Sequence, residues 1–301
     1  MIFFSVVIPT YNRAELIAQA IRAVLEQTFS DFEIIVVDDG STDDTADVVG
    51  RFQDPRVHYF KKENSERGAA RNFGAVRATG KYINFFDSDD LMYPHHLTVA
   101  HDFALANGQP EFFNVGYDIL DDSGKCLGRE TNFNYDLADR LIVTNFLGCD
   151  SVFVRQDIFR NNLFNEDRRM ASSEDWELWL RMISRYPLHS CDTITLALSN
   201  HSARSLFTIS PDKILERDTI MTNHLLQDNA FVMKFRKQIP LFKADRFTFF
   251  ALHMALAGNR KKDTLHYLVR SLISSPRVLK RKRFWASLNL MVSSYFKKSD
   301  G

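Results

Sequence analysis

Tyr82-Ile83-Asn84-Phe85-Phe86-Asp87-Ser88-Asp89-Asp90 passes from apolar to acidic without a break. The first five residues read as a buried strand and the last four as the turn at its end. Three carboxylates at the mouth of a buried strand repel one another and resist desolvation, and a cation that joins them relieves both. Hard carboxylate oxygens suit Mg2+ or Mn2+, ions that usually share their coordination shell with a substrate's phosphates. A metal–diphosphate site is one reading. A solvent-facing acidic turn is the other, because Asp is a common turn former.

Working outward, strands and helices alternate. Phe3-Phe4-Ser5-Val6-Val7-Ile8 is a continuous apolar strand ending at Pro9, and Leu16, Ile17, Ala20, Ile21, Val24 and Leu25 follow it at helical spacing. Residues 32–37 form a second buried strand, ending at Asp38-Asp39-Gly40, with Ser41 or Thr42 placed to cap the next helix. Residues 57–60 read as a third strand and 69–78 as a short helix stopped by Gly80. This alternation predicts a mostly parallel sheet flanked by helices. In the less regular middle third, 111–119, 151–154 and 193–198 are predicted strands, and Trp176, Trp179, Leu180 and Ile183 mark one apolar helix face. Beyond about residue 210 the pattern is helical only. Leu252 and Leu256, then Leu265, Leu268 and Leu272, predict an antiparallel helix pair. The expected division is a catalytic domain over 1–208 and a helical extension over 209–301.

The 301 residues are 45% apolar and 25% charged with zero formal net charge, as for an ordinary soluble globular protein, and no global field points to nucleic acid. The three cysteines are scattered, suit a reducing compartment and match no zinc pattern. Met1 to Ile8 reads as a strand rather than a signal peptide, and no apolar run reaches membrane-spanning length. These features predict a cytoplasmic protein. Ligands of open parallel sheets bind beyond the carboxyl ends of the strands. Thr10-Tyr11-Asn12, Asp38-Asp39 and the acidic turn all fall there. Neither G-x-G-x-x-G nor G-x-x-x-x-G-K-[ST] occurs, which argues against dinucleotide and P-loop sites.

Ser5-Val6-Val7-Ile8-Pro9-Thr10-Tyr11-Asn12-Arg13, Gln27-Thr28, 32–43, Arg71-Asn72-Phe73-Gly74, Gly80-Lys81-Tyr82-Ile83, Phe86-Asp87-Ser88-Asp89-Asp90 and 173–181 together resemble family 2 glycosyltransferases, over roughly residues 3–205. The resemblance implies a GT-A fold and an inverting, metal-dependent transfer from a nucleotide sugar. It implies that Pro9, Tyr11 and Asp39 surround the donor base, with Asp39 accepting from a pyrimidine N3–H and Arg71 donating to a base carbonyl. That pair fits uracil or thymine, hence a UDP- or dTDP-sugar. A packed ring is the other reading of Tyr11. Arg71 has a competing one, pairing with Glu63 or Glu66. Asp38 reads as a supporting or capping acid.

By the same resemblance Asp87 and Asp89 form a DxD motif, Asp89 on the metal and Asp87 by the ribose or diphosphate, with Ser88 between them. Asp90 reads as a structural acid. Asp175 is the implied general base and Glu174 the runner-up, although Ser172-x-x-Asp175 also fits a helix capping box. His201 and Arg204 lie where many relatives close over the donor; an exposed loop is the alternative. His95, His96 and His101 read as surface or packed residues. A nucleotide-sugar-binding protein without turnover and a metal-dependent nucleotidyltransferase are the competing functions. The latter usually needs a Gly- and Lys/Arg-rich phosphate loop where this chain has Pro9-Thr10-Tyr11-Asn12-Arg13. Finally, 276–298 interleaves Lys and Arg with aromatic residues. It reads as a helix packed with its charges in solvent, as an anionic-membrane contact on the inner face of the cell membrane, or, least well, as a nucleic-acid surface. A lipid-linked saccharide acceptor would suit the membrane reading.

Overall fold

Phe4-Ser5-Val6-Val7-Ile8 is buried throughout, which is what a central strand covered on both faces requires. In the computed structural model, which describes residues 2–200, 210–258 and 260–296, this strand is the middle of a sheet. The chain divides into two compact units, 1–141 with 145–207, and 142–144 with 208–301.

The first unit begins β1 (Phe4–Thr10), α1 (Ala14–Leu25), β2 (Phe32–Asp38), α2 (Thr45–Gly50), β3 (Val57–Lys61), α3 (Glu66–Ala75), β4 (Tyr82–Phe85). It continues β5 (Leu91–Met92), α4 (His96–Ala106), β6 (Phe112–Leu120), β7 (Cys126–Glu130), α5 (Leu137–Leu141). It closes with β8 (Val152–Arg155), α6 (Gln156–Phe159), α7 (Glu174–Ile183) and β9 (Leu188–Ser199). The sheet order is β3-β2-β1-β4-β8-β6-β9-β5, with β7 on β6. From β3 to β4 all pairs are parallel; β8 then runs antiparallel to both β4 and β6.

Alternate residues face opposite sides of the sheet. Phe4, Val6 and Ile8 join Ile17, Ile21 and Val24 of α1 in the main core, and Leu97, Ala100 and Ala104 of α4 extend it. On the other face Val7 and Val37 meet α3 at Gly74, where a Cβ would stand 2.5 Å from Val7 Cγ1. Only glycine lets α3 lie this close to the sheet. Phe85 packs on Phe159 and Phe164, and Phe164 on Trp179 of α7.

Several boundaries differ from the sequence reading. α3 starts at Glu66, and β9 starts at Leu188 because it pairs with β6 along its whole length. Ser41 and Thr42 do not cap α2, whose N-cap is Asp44; the Ser41 hydroxyl accepts from Asn12 N–H at 2.9 Å instead. The two-residue β5 was not foreseen, since so short a strand has no periodicity to read.

The second unit comprises α8 (Pro211–Gln227), α9 (Asn229–Lys234), α10 (Ile239–Leu256), α11 (Lys261–Ser274), a 3-10 turn (Pro276–Lys280) and α12 (Lys282–Phe296). Ala244, Ala251, Leu268, Val278 and Phe284 form its core. α10 and α11 are the expected pair, but Leu256 and Leu265 are exposed, at 61% and 51%. Small alanines on α10 bring the helices together, so the leucine spacing did not mark the buried face. No helix among the described residues is long and apolar enough to cross a membrane.

Candidate functional site

Strand register builds the site. Thr10 is level with Asp38 in the β1–β2 pair, and Asp39 N–H donates to Thr10 carbonyl at 2.9 Å. Phe86 N–H donates to Val7 carbonyl, so the acidic turn leaves the sheet beside the same edge. The three polar clusters therefore share one end of the parallel half-sheet.

Around the β1 and β2 ends, Pro9 is half-buried and Tyr11 is 48% exposed, so its ring is not packed. Asp39 is buried and accepts from Lys62 Nζ at 2.7 Å and from Ser65 N–H at 3.0 Å. Asp38 holds the turn, accepting from Ser41 N–H at 2.7 Å and Tyr59 hydroxyl at 2.6 Å.

At the β4 end, one carboxylate oxygen from each of Asp87, Asp89 and Asp90 lies within 4.8 Å of the others, and all three residues are half-buried. Arg13 Nη1 pairs with Asp89 at 2.8 Å and reaches the buried Ser88 hydroxyl at 3.5 Å. Asp90 accepts from Ser199 N–H of β9 at 2.7 Å, and Asp150 accepts from Asp87 N–H at 2.5 Å. Burial, then Asp90 and Asp87, push the Asp150 carboxyl well above the usual range. Asp87, Asp89 and Asp90 thus crowd a tip that Arg13 and Arg71 only partly neutralise, with the Asp150 carboxyl beside them held toward its protonated form. Part-exposed hard oxygens with surplus negative charge fit a divalent cation.

Arg71 links this tip to α7. Its guanidinium is 2% exposed, with Nη2 on Asp87 at 2.7 Å and Nη1 on Glu174 at 2.9 Å. Burial pushes the Asp87 carboxyl up, but Arg71 and Arg67 outweigh it and hold the group below its ordinary value. Neither Glu63 nor Glu66 takes this arginine; the partners come from the turn after β4 and from α7.

Glu174 is itself buried, whereas its neighbour Asp175 is half-buried. Asp175 accepts from Asn145 Nδ2 at 2.9 Å and from Trp176 N–H at 2.7 Å. Burial, then the adjacent Glu174 charge, push it up to about 6, against the pull of Arg71. The capping box does not form: the N-cap is Ser173, and it makes no side-chain cap hydrogen bond. Asn12, Glu66 at the head of α3, and Ser172 hold positive φ of 51°, 75° and 74° near these groups, as Gln109 and Asn132 do elsewhere, at 57° and 56°. Such backbone costs about 1 kcal/mol or more per residue and concentrates at functional sites.

His201 and Arg204 lie outside the described residues. His96 is buried against Thr195 Oγ1 at 2.8 Å, and burial, with His95 adding, lowers it to about 3; it is a packed residue. His101 packs on Phe3 and Phe29. Sequence reasoning assigned no role to Arg13, Asn145 or Asp150. Arg13 had a signal, since it directly follows the strand-end cluster. Asn145 and Asp150 come from the irregular segment and had none.

Residues 5–121 match the sequence model of Glycosyl transferase family 2. An uncharacterized glycosyltransferase of Rickettsia bellii is 35% identical over 237 residues, 77% of this chain. The chain belongs to glycosyl transferase family 2. Another family relative is the Campylobacter jejuni GalNAc(5)-diNAcBac-PP-undecaprenol beta-1,3-glucosyltransferase, 29% identical over 72% of this chain and 75% of that protein. The chain spans only about a third of three Rickettsia relatives, 33% of one and 38% of two. Staphylococcus aureus TarS 1–349, solved with UDP-GlcNAc, has a TM-score of 0.68 at 17% identity, covering 98% of this chain and 89% of TarS 1–349. The Pyrobaculum calidifontis mannosyltransferase PcManGT, solved with GDP-Man and Mn2+, has a TM-score of 0.56 at 17% identity, covering 98% of this chain and 86% of that one. At such identities the likeness concerns fold. It establishes the GT-A layout that the sequence motifs implied.

Proposed function

We propose that this family 2 protein is an inverting glycosyltransferase that moves a sugar from a UDP- or dTDP-sugar to a saccharide or lipid-linked saccharide. The observation that carries the proposal is the Arg71 bridge, 2.7 Å to Asp87 and 2.9 Å to Glu174. One buried guanidinium sets the acidic tip that suits a diphosphate-bound cation beside the helix that carries a carboxyl poised near pH 6.

Exposed Tyr11 and half-buried Pro9 offer a surface for the donor base, and Asp39 offers an acceptor for its N3–H. Arg71 has both terminal nitrogens on carboxylates, so we assign it to positioning Asp87 and Glu174 instead of reading the base. Mg2+ or Mn2+ held by Asp89 and Asp87, with Asp90 beside them, would neutralise charge on the leaving diphosphate. Asp175 takes the proton from the acceptor hydroxyl as that oxygen attacks the anomeric carbon. Glu174 is the weaker choice of base because it is buried and held by Arg71. One base facing one leaving group gives a single displacement with inversion; retention needs a carboxylate nucleophile at the sugar. The Campylobacter relative, a GalNAc(5)-diNAcBac-PP-undecaprenol beta-1,3-glucosyltransferase, supports the lipid-linked acceptor.

Incubation with candidate donors, Mn2+ and acceptor should release UDP or dTDP, with NMR showing the opposite anomer in the product. Asp175→Asn should still bind UDP while transfer is lost. Binding without turnover by the parent chain, across donors and acceptors, would leave a nucleotide-sugar-binding protein in place of an enzyme.

A further inference from the structure

Among the described residues of the helical unit, one face of α11 is exposed. Thr264, Leu268 and Ser271 turn into the core, while Leu265, Val269 and Ile273 are 51%, 45% and 79% exposed. Their four-residue spacing puts these three side chains in one stripe along the helix. The stripe leads to the 3-10 turn, where Leu279 is 43% exposed. Trp285 Nε1 donates to the Leu279 carbonyl at 2.8 Å, and the indole stays 49% exposed. Exposed apolar side chains thus recur at Leu265, Val269, Ile273, Leu279 and Trp285, with cations interspersed among them.

Charge identifies the occupant. Between Lys261 and Ser293 the sequence has eight Lys and Arg residues and a single acid, Asp263. Asp263 is already paired with Arg260 at 2.7 Å. Arg281 pairs with Asp245, and Arg283 lies over the Phe249 ring, so these two are already engaged within the unit. Lys262, Arg277, Lys280 and Lys282 remain exposed beside the apolar stripe. Apolar side chains flanked by cations with no free acid match an anionic bilayer surface, where the chains enter the acyl boundary and the cations meet the headgroups. A protein partner that covered this face would need an acidic, apolar-centred surface of its own.

We propose that α11 and the turn after it form the docking face of this protein for an anionic membrane. This places the contact earlier in the chain than 276–298 alone. Phe284 and Met291 of α12 are buried and unavailable to lipid. The inference does not depend on the sugar-transfer reading, and its test needs neither donor nor acceptor.

The test is flotation of the full chain with phosphatidylcholine vesicles, with and without phosphatidylglycerol. Binding should rise about tenfold with phosphatidylglycerol and weaken as salt is added. The triple variant Leu265→Ser, Val269→Ser, Ile273→Ser should lose about tenfold or more in vesicle affinity while keeping the parent's thermal midpoint, because all three side chains are exposed. The double variant Lys262→Glu, Lys280→Glu should lose the preference for phosphatidylglycerol. Equal flotation of the triple variant and the parent overturns the proposal, as does a parent that fails to float. A parent that is dimeric in solution beside a monomeric triple variant also overturns it, by assigning the face to a second copy.

Discussion

Each unit buries an arginine against carboxylates, but the charge around the two arginines has opposite sign. Arg71 stands among Asp87, Asp89, Asp90, Asp150, Glu174 and Asp175, with only Arg13 and Arg67 to help it. In the helical unit Arg246 pairs with Asp218 at 3.1 Å, and Arg217, Arg281 and Arg283 surround Asp218 and Asp245. There the excess cations have somewhere to go. Arg246 lies over Phe242 and Phe249, Arg283 over Phe249, and Arg270 over Phe247. The negative face of an aromatic ring accepts a cation and offers nothing to a carboxylate. Aromatic rings thus take up Arg246, Arg270 and Arg283, whereas an acid-rich tip calls for an ion from outside. A buried ion pair alone is weak evidence for either role; the sign of the surplus separates them.

Changes that hit chemistry on one side and only stability on the other sharpen this contrast. The largest expected effect is Asp175→Asn, a fall in transfer of about 10²- to 10⁴-fold with UDP affinity preserved, read by product release and calorimetry. Next, Arg71→Met and Arg246→Met should each cost about 3–5 kcal/mol of stability, because each strands a buried carboxylate. Denaturation would show that loss in both. Only the first should also move the pH profile, raising the midpoint of its acid limb, because Arg71 lowers the Asp175 carboxyl. Equal profiles for the two variants would break the contrast.

Asp89→Ala should lower Mn2+-dependent UDP affinity by about ten- to a hundredfold while leaving metal-free binding unchanged. In the parent, the base must be ionised to act. Asp175 protonates as pH falls through about 6, so kcat/KM should drop about tenfold per pH unit below that value and level off above it. The smallest effect is expected for Arg13→Ala. Its pair with Asp89 is part-exposed and worth about 0–1 kcal/mol. Removing it should tighten Mn2+ binding by at most about fivefold, since arginine and metal compete for one carboxylate.

The parallel half of the sheet was legible because β1, β2 and β4 are short, apolar and buried on both faces, and helical spacing separates them. Their acidic and polar ends were legible for the same reason: charge that directly follows a buried strand stands out. The other half was less clear. β9 begins five residues before its apolar stretch because it pairs in parallel with β6 along that strand's whole length, and the sequence of one strand does not reveal its partner. Leu256 and Leu265 misled because helical spacing locates an apolar face without saying what it packs on.

The residues themselves determined the chemical types at the site: paired acids at the end of β2, an acidic turn at 87–90, an acidic helix start at 174–175. Those follow from local order along the chain. Folding alone decided that a guanidinium from α3 joins the turn after β4 to a glutamate of α7 that lies 103 positions from it, and that Asn145 reaches Asp175. Pairings between distant carboxylates and cations depend on which backbone segments close packing brings within about 3 Å, and nothing in the linear order encodes that distance.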